Sequence, residues 1–169
     1  EDLCRCSTLF AAIVDQSRFY EANRAVDSAL YTDHAIHAPD VALFRLESGG
    51  PLLDEPLTTG VITAPAPFRG AIADDDVSTL ARLRPTFERR WRFVFDVAAH
   101  FGHAVLIAGA WGCGAFRNDP ELVAGTAADA LATSGGAARL HRIVFAIPDT
   151  PGTGHLNHRS FRRALDPLA

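Results

Sequence analysis

The sequence predicts a single α/β domain with a largely parallel sheet. Three observations predict it. Strand-like apolar runs alternate with helical ones along the chain. One of them, Ala104–Ala108, is continuously apolar, the pattern of a strand covered on both faces. That run passes into a glycine-rich segment, Gly109–Asn118, and then into a helix start, which is the βα order. With 169 residues, 48% hydrophobic and 21% charged, the chain can bury a core without disulfide or metal staples.

The elements follow in order. Leu3, Cys6, Leu9, Phe10, Ile13 and Val14 recur at helical spacing, with Glu1 and Asp2 where a helix dipole favours carboxylates. Residues 17–24 form a second short helix. Residues 35–38 and 41–46 read as two short strands broken by Pro39-Asp40, and Ser48-Gly49-Gly50-Pro51 as a turn. Residues 57–63 form an apolar, β-branched strand that ends at Ala64-Pro65-Ala66-Pro67. Asp74, Asp75 and Asp76 open a long helical stretch with an apolar face from Phe87 to Phe101. Pro85 starts or kinks it, and Gly102 stops it. Asp119-Pro120-Glu121 begins a helix that runs to Ser134-Gly135-Gly136. Residues 143–147 form another buried strand and residues 157–165 a last helix. No repeat or low-complexity segment interrupts residues 1–169.

A net charge of −4 argues against a nucleic-acid-binding surface, and the apolar runs are too short to cross a bilayer. Three cysteines without a CxxC pair fit a reducing compartment, so a cytoplasmic protein is expected. The chain has no methionine and begins at Glu1, before which an initiator methionine is not normally removed. The strand count is also low for a layered fold. A preceding segment that carries further strands is therefore expected.

The chemistry centres on Gly109–Asn118. Glycines let a backbone approach a ligand and turn N–H groups inward, and the helix start adds positive potential. Together these make a diphosphate cradle. The loop lacks GxGxxG and GxxxxGK[ST], so it is neither a dinucleotide fingerprint nor a P-loop. The alternative is a plain tight βα connection with Trp111 and Phe116 as core aromatics. Cys113 lies near a helix start, but no histidine or acid is tied to it by spacing, and small filler is the better reading. The seven histidines show no HxxxH or HExxH spacing, so neither a metal nor another cofactor is expected. Arg89-Arg90 and Arg92 read as a solvated helix face.

The string Gly109-Ala110-Trp111-Gly112-Cys113-Gly114-Ala115-Phe116-Arg117-Asn118-Asp119-Pro120 closely resembles the diphosphate-loop signature of microbial-type poly(ADP-ribose) glycohydrolases. Leu30-Tyr31-Thr32-Asp33, Ala38-Pro39-Asp40-Val41, Phe44-Arg45 and Val61-Ile62-Thr63-Ala64-Pro65-Ala66-Pro67 resemble the same family, so the resemblance runs through nearly the whole chain. It implies a three-layer α/β/α macrodomain-like fold with a mixed sheet. It also implies a hydrolase that cuts the ribose glycosidic bond of poly(ADP-ribose) or of ADP-ribosylated protein. Aligned on Leu3-Cys4-Arg5, Glu1 falls on the last glutamate of the family's catalytic Gln-Glu-Glu signature, whose preceding glycines and Gln-Glu are not in this chain. The resemblance makes Glu1 the general acid/base. Gly109, Ala110, Trp111, Gly112, Cys113, Gly114, Ala115 and Phe116 then form the diphosphate and ribose site.

In macrodomains the last sheet edge often forms part of the adenine pocket, which makes Asp149, Asn157 and Phe161 candidates there. Core packing is the competing reading for Phe161, and turn capping for Asp149. Asp2 reads as a solvent-facing or capping acid. The expected partners are ADP-ribose, ADP-ribosylated protein and a separate N-terminal segment, with no membrane or nucleic acid. The alternatives to an enzyme are a non-catalytic ADP-ribose reader and a subunit that folds only with its N-terminal piece.

Overall fold

A computed structural model describes residues 2–168. The chain divides into two compact units, one of residues 1–26 and 32–65, the other of residues 27–31 and 66–169.

The first unit is a β-ribbon with helices. Strand β1 (Ile36–Leu43) pairs antiparallel with β2 (Leu57–Thr63). The Pro39-Asp40 break expected between two strands is a register shift between Ala38 and Val41 within one strand. A bulge is where a residue without an N–H can sit in a ladder. The helix expected across residues 3–14 is two helices, α1 (Asp2–Cys6) and α2 (Leu9–Ile13), followed by α3 (Ser17–Ala25). The division has a local cause. The Ser7 hydroxyl donates to the Leu3 carbonyl at 2.6 Å and accepts from the Leu9 N–H at 3.1 Å. The Thr8 N–H donates to the Ala42 carbonyl at 3.0 Å, and the Ala42 N–H donates to Thr8 Oγ1 at 3.0 Å. Strand β1 thus takes backbone bonds that a continuous helix would need. The apolar spacing still works, because Leu9 and Ile13 join Ile36, Ala38 and Val41 in one buried cluster.

The second unit is built on a long helix. Asp76 caps α4 (Val77–Ala81) by accepting from the Thr79 N–H at 3.0 Å. Helix α5 (Leu83–His100) follows, with Pro85 in its first turn. It buries Leu83, Phe87, Arg90, Trp91, Val94, Phe95 and Ala98, a stripe at i, i+3 and i+4. Gly102, at φ +75°, ends that stretch. Strand β3 (Val105–Ala108) pairs parallel with β4 (Arg142–Phe145), and α6 (Pro120–Thr133) is the crossover. Helix α6 packs against both α5 and α7 (Thr153–Leu165), through small residues such as Ala124, Ala127 and Ala130 that are fully buried.

Two expectations change. Among the described residues the sheet is not largely parallel but consists of two ladders, one antiparallel and one parallel. Strand β3 is not covered on both faces, because Val105 is 49% exposed and Ile107 70%. Leu106 and Ala108, which alternate with them, are half-buried. An apolar run shows that a strand can be buried on both faces, not that it is.

Gly136 marks a tight contact in this unit. Its N–H donates to Asp96 Oδ1 at 3.1 Å, and an added Cβ would lie 2.7 Å from the Asp96 backbone. Gly136→Ala should lower stability by roughly 1–3 kcal/mol in denaturant unfolding, the usual scale of overpacking. Gly135→Ala should be nearly neutral, since nothing lies within 4 Å of its added Cβ.

Candidate functional site

The glycine-rich segment connects β3 to α6. Gly109 and Ala110 continue from the strand end. Trp111 then anchors the loop on α5, its ring 4.9 Å from that of Trp91 at 73° and 6.0 Å from that of Phe87 at 82°. Backbone bonds fold the loop on itself. The Cys113 N–H donates to the Ala110 carbonyl at 3.0 Å, the Arg117 N–H to Gly114 at 2.9 Å, and the Asn118 N–H to Gly112 at 3.2 Å.

The Asn118 side chain holds the fold of this loop. It is 4% exposed, and its Nδ2 donates to the Pro67 carbonyl at 2.7 Å and to the Gly112 carbonyl at 2.9 Å. Gly112 lies at φ +75°, and an added Cβ would come within 2.6 Å of Asn118 Nδ2 and 2.7 Å of Ala66 Cβ. Only glycine fits both constraints. Asp119 then caps α6, accepting from the Glu121 N–H at 2.9 Å, with Pro120 in the first turn.

This leaves the N–H groups of Gly112, Gly114, Ala115 and Phe116 without a hydrogen bond among the described residues. Gly114 and Ala115 are exposed. Unpaired N–H groups gathered before a helix N-terminus form an anion-binding concavity. Cys113 differs, since its N–H is bonded inside the loop. Its thiol is buried, and that burial, with a smaller contribution from Asp119, pushes its pKa up to about 12. It is a neutral thiol at physiological pH and not a nucleophile.

Phe116 closes the loop. Its ring stacks on Phe68 at 4.8 Å and 20°, and lies 6.2 Å from Tyr31. Tyr31 sits at φ 57°, a sparsely populated region for a bulky residue. Arg90 supports it, donating from Nη2 to the Leu30 carbonyl at 2.6 Å and the Tyr31 carbonyl at 3.1 Å. Arg90 is 2% exposed, so the expected solvated run Arg89–Arg92 is corrected at its middle. Its apolar stem and its two carbonyl partners account for the burial.

The remaining candidates lie apart from the loop in sequence. Phe161 is 1% exposed, its ring 5.5 Å from that of Phe145, which is core packing. Asp149 is exposed and hydrogen-bonded to His155 Nδ1 at 2.7 Å, a bond that holds its carboxyl below the ordinary value. Asn157 is half-buried on α7. Glu1 lies outside the described residues. Among the described residues no cluster of His, Cys, Asp and Glu could hold a metal, and no helix is long and apolar enough to cross a membrane.

Asn118, Phe68, Tyr31 and Arg90 are site residues that the sequence pattern does not single out. A buried Asn in a glycine loop is a signal for the first. The other three have none, because their roles depend on residues distant in the chain.

The parallel βαβ unit with its glycine loop and the separate antiparallel ribbon make an α/β protein of macrodomain-like fold. A family model described as microbial-type PARG, catalytic domain, matches residues 1–46. A crystal structure of poly(ADP-ribose) glycohydrolase from Deinococcus radiodurans in complex with ADP-ribose matches 98% of this chain and 66% of its own, with 40% identity and a TM-score of 0.88. The apo form from that organism matches 99% of this chain and 68% of its own, with 42% identity and a TM-score of 0.87. The enzyme from Thermomonospora curvata matches 96% and 58%, with 39% identity and a TM-score of 0.84. No curated protein sequence matches. The chain belongs to the microbial-type poly(ADP-ribose) glycohydrolase family, and it spans about two thirds or less of the length of these relatives.

Replacing Asn118 by Ala should loosen the loop and cost about 1–3 kcal/mol, because it strands the Pro67 carbonyl and removes one of the two donors to the Gly112 carbonyl. The amide protons of residues 112–118 should then exchange faster, while those of α5 keep their protection.

The Cys113 thiol should make stability depend on alkaline pH. Its folded pKa lies above the ordinary 9.0, so the contribution of the neutral thiol is complete below about pH 9 and is lost as pH rises toward 12. Urea midpoints of the wild type should fall between pH 9 and 11 more steeply than those of Cys113→Ala.

Proposed function

We propose that this protein hydrolyses the ribose glycosidic bond of poly(ADP-ribose) or of ADP-ribosylated protein and releases ADP-ribose. The observation that carries the reading is the row of unpaired N–H groups at Gly112, Gly114, Ala115 and Phe116, held by Asn118. Family membership supports it, and the Deinococcus relative is described with ADP-ribose bound.

In this reading residues 1–169 act as one domain, in a reducing cytoplasmic compartment. The three cysteines are free thiols, which fits. The N–H groups of Gly112, Gly114 and Ala115 take the diphosphate oxygens. Cys113 fills the space behind them, and Gly109, Ala110 and Trp111 hold the approach from β3. Phe116, backed by Phe68, packs against the ribose. Asp149 and Asn157 serve the adenine side. Glu1 is the acid/base. Bond cleavage builds oxocarbenium character at the anomeric carbon; the carboxyl protonates the leaving oxygen, then as carboxylate assists attack by water. Fixing the diphosphate relative to the reacting ribose is catalysis by positioning.

The test uses the full-length protein and ADP-ribosylated substrate. The wild type should release free ADP-ribose. Glu1→Gln should reduce release by at least about 100-fold, the scale of a lost general acid, while calorimetry finds ADP-ribose binding unchanged. Binding by the wild type without release would favour the non-catalytic reader instead. Gly112→Glu places charge and bulk in the cradle and should weaken ADP-ribose binding; unchanged affinity would show that the diphosphate sits elsewhere.

A further inference from the structure

Next to the glycine loop lies a second basic feature that the diphosphate reading does not use. A cleft of about 420 Å³ is lined by Arg69, Gly70, Ile72, Ala73, Asp74 and Arg117. Two bonds join it to the loop. The Gly70 N–H donates to the Phe116 carbonyl at 3.1 Å, and the Arg117 N–H to the Gly114 carbonyl at 2.9 Å. Phe68 and Phe116, whose rings stack, each stand one position before one of the two arginines.

Arg117 is unusual in two respects. It lies at φ 57°, where glycine and asparagine are favoured. Its guanidinium has no hydrogen bond or ion pair among the described residues. The local backbone would accept glycine, so an arginine here contributes only its side chain. The stem crosses Gly70, and a Cβ added at that glycine would come 3.1 Å from Arg117 Cδ. Arg69 faces the same cleft. It donates from Nη1 to the Ile72 carbonyl at 2.9 Å and from Nη2 to Asp74, whose carboxylate is 92% exposed. Asp74 neutralises one positive charge and fixes the first guanidinium. The second is left with its donors open.

We propose that Arg117, with Arg69 beside it, forms a second anion subsite that takes a phosphate of the neighbouring ADP-ribose unit of a polymeric substrate. The proposal rests on the diphosphate reading of the glycine loop. A monomer occupies the loop alone, whereas a polymer presents its next diphosphate to the cleft. Arginine suits this because its fork engages two phosphate oxygens at once, and the chain has no lysine to do so. The subsite thus favours polymer over single ADP-ribose units.

The discriminating variant is Arg117→Gly, which removes the guanidinium and places glycine at a left-handed position, so the protein should fold as well as the wild type. Its thermal midpoint should not fall. Equilibrium binding is read in the full-length protein carrying Glu1→Gln, so that a defined ADP-ribose oligomer survives the measurement; if that background still cleaves, the same comparison is read as KM. Arg117→Gly should weaken oligomer binding about tenfold, the scale of one charged hydrogen bond, and leave monomeric ADP-ribose unchanged. Equal losses for monomer and oligomer would place Arg117 in the primary site and overturn the proposal. No loss for either would overturn it as well, as would equal binding of a single-stranded oligonucleotide of matching charge. A wild type that binds no ADP-ribose would instead refute the diphosphate reading itself.

Discussion

The carboxamide of Asn118 is the interaction on which the rest of the site depends. Its two N–H groups reach the carbonyls of Pro67 and Gly112. One side chain therefore joins the loop to the segment that ends in Phe68. Its Oδ1 is buried without a hydrogen bond, so the residue is only partly satisfied. A gain of about 1 kcal/mol per bond is offset by that orphaned acceptor. What the contact supplies is position more than stability. It fixes Gly112 in the left-handed region, and the unpaired N–H groups that follow depend on that turn.

Helix α5 carries the next level of support. Trp91 meets Trp111 at the loop entrance, and Arg90, its neighbour in sequence, holds the carbonyls of Leu30 and Tyr31. Adjacent helix positions point about 100° apart, so one turn of α5 braces two separate segments. Tyr31 and Phe68 then approach Phe116 from different parts of the chain. Two non-glycine residues at positive φ, Tyr31 and Arg117, stand next to this ring, one in space and one in sequence. Strain of this kind persists where the surroundings over-determine it, and here bonds from Arg90 and to Gly114 do so.

The electrostatics separate binding from covalent chemistry. Burial keeps the Cys113 thiol protonated. The loop therefore offers neutral N–H donors and a helix terminus, which suits a diphosphate. The only unpaired cation beside it is Arg117, among the described residues that line the cleft.

Local pattern was legible where the physics is local. The helix boundaries at Asp76 and Asp119-Pro120, the strand at residues 57–63 and the βα glycine loop all follow from caps, β-branching and glycine, which act within a few residues. From its glycines alone the loop could be read either as a ligand cradle or as a plain tight βα connection. Other features could not be read this way. A helix spanning residues 3–14 is sound by periodicity, yet Thr8 leaves it for bonds with Ala42 of β1, more than 30 residues away. Val105 and Ile107 look like core and are exposed, because sequence shows what can be buried and not what covers it. Arg90 looks like surface and is buried, because its partners lie 60 and 59 residues earlier. The sequence by itself determined the α/β class, the family and the place of the loop. Only the tertiary structure decided which N–H groups stay unpaired and which arginine stays free, since both depend on bonds between segments that no local pattern records.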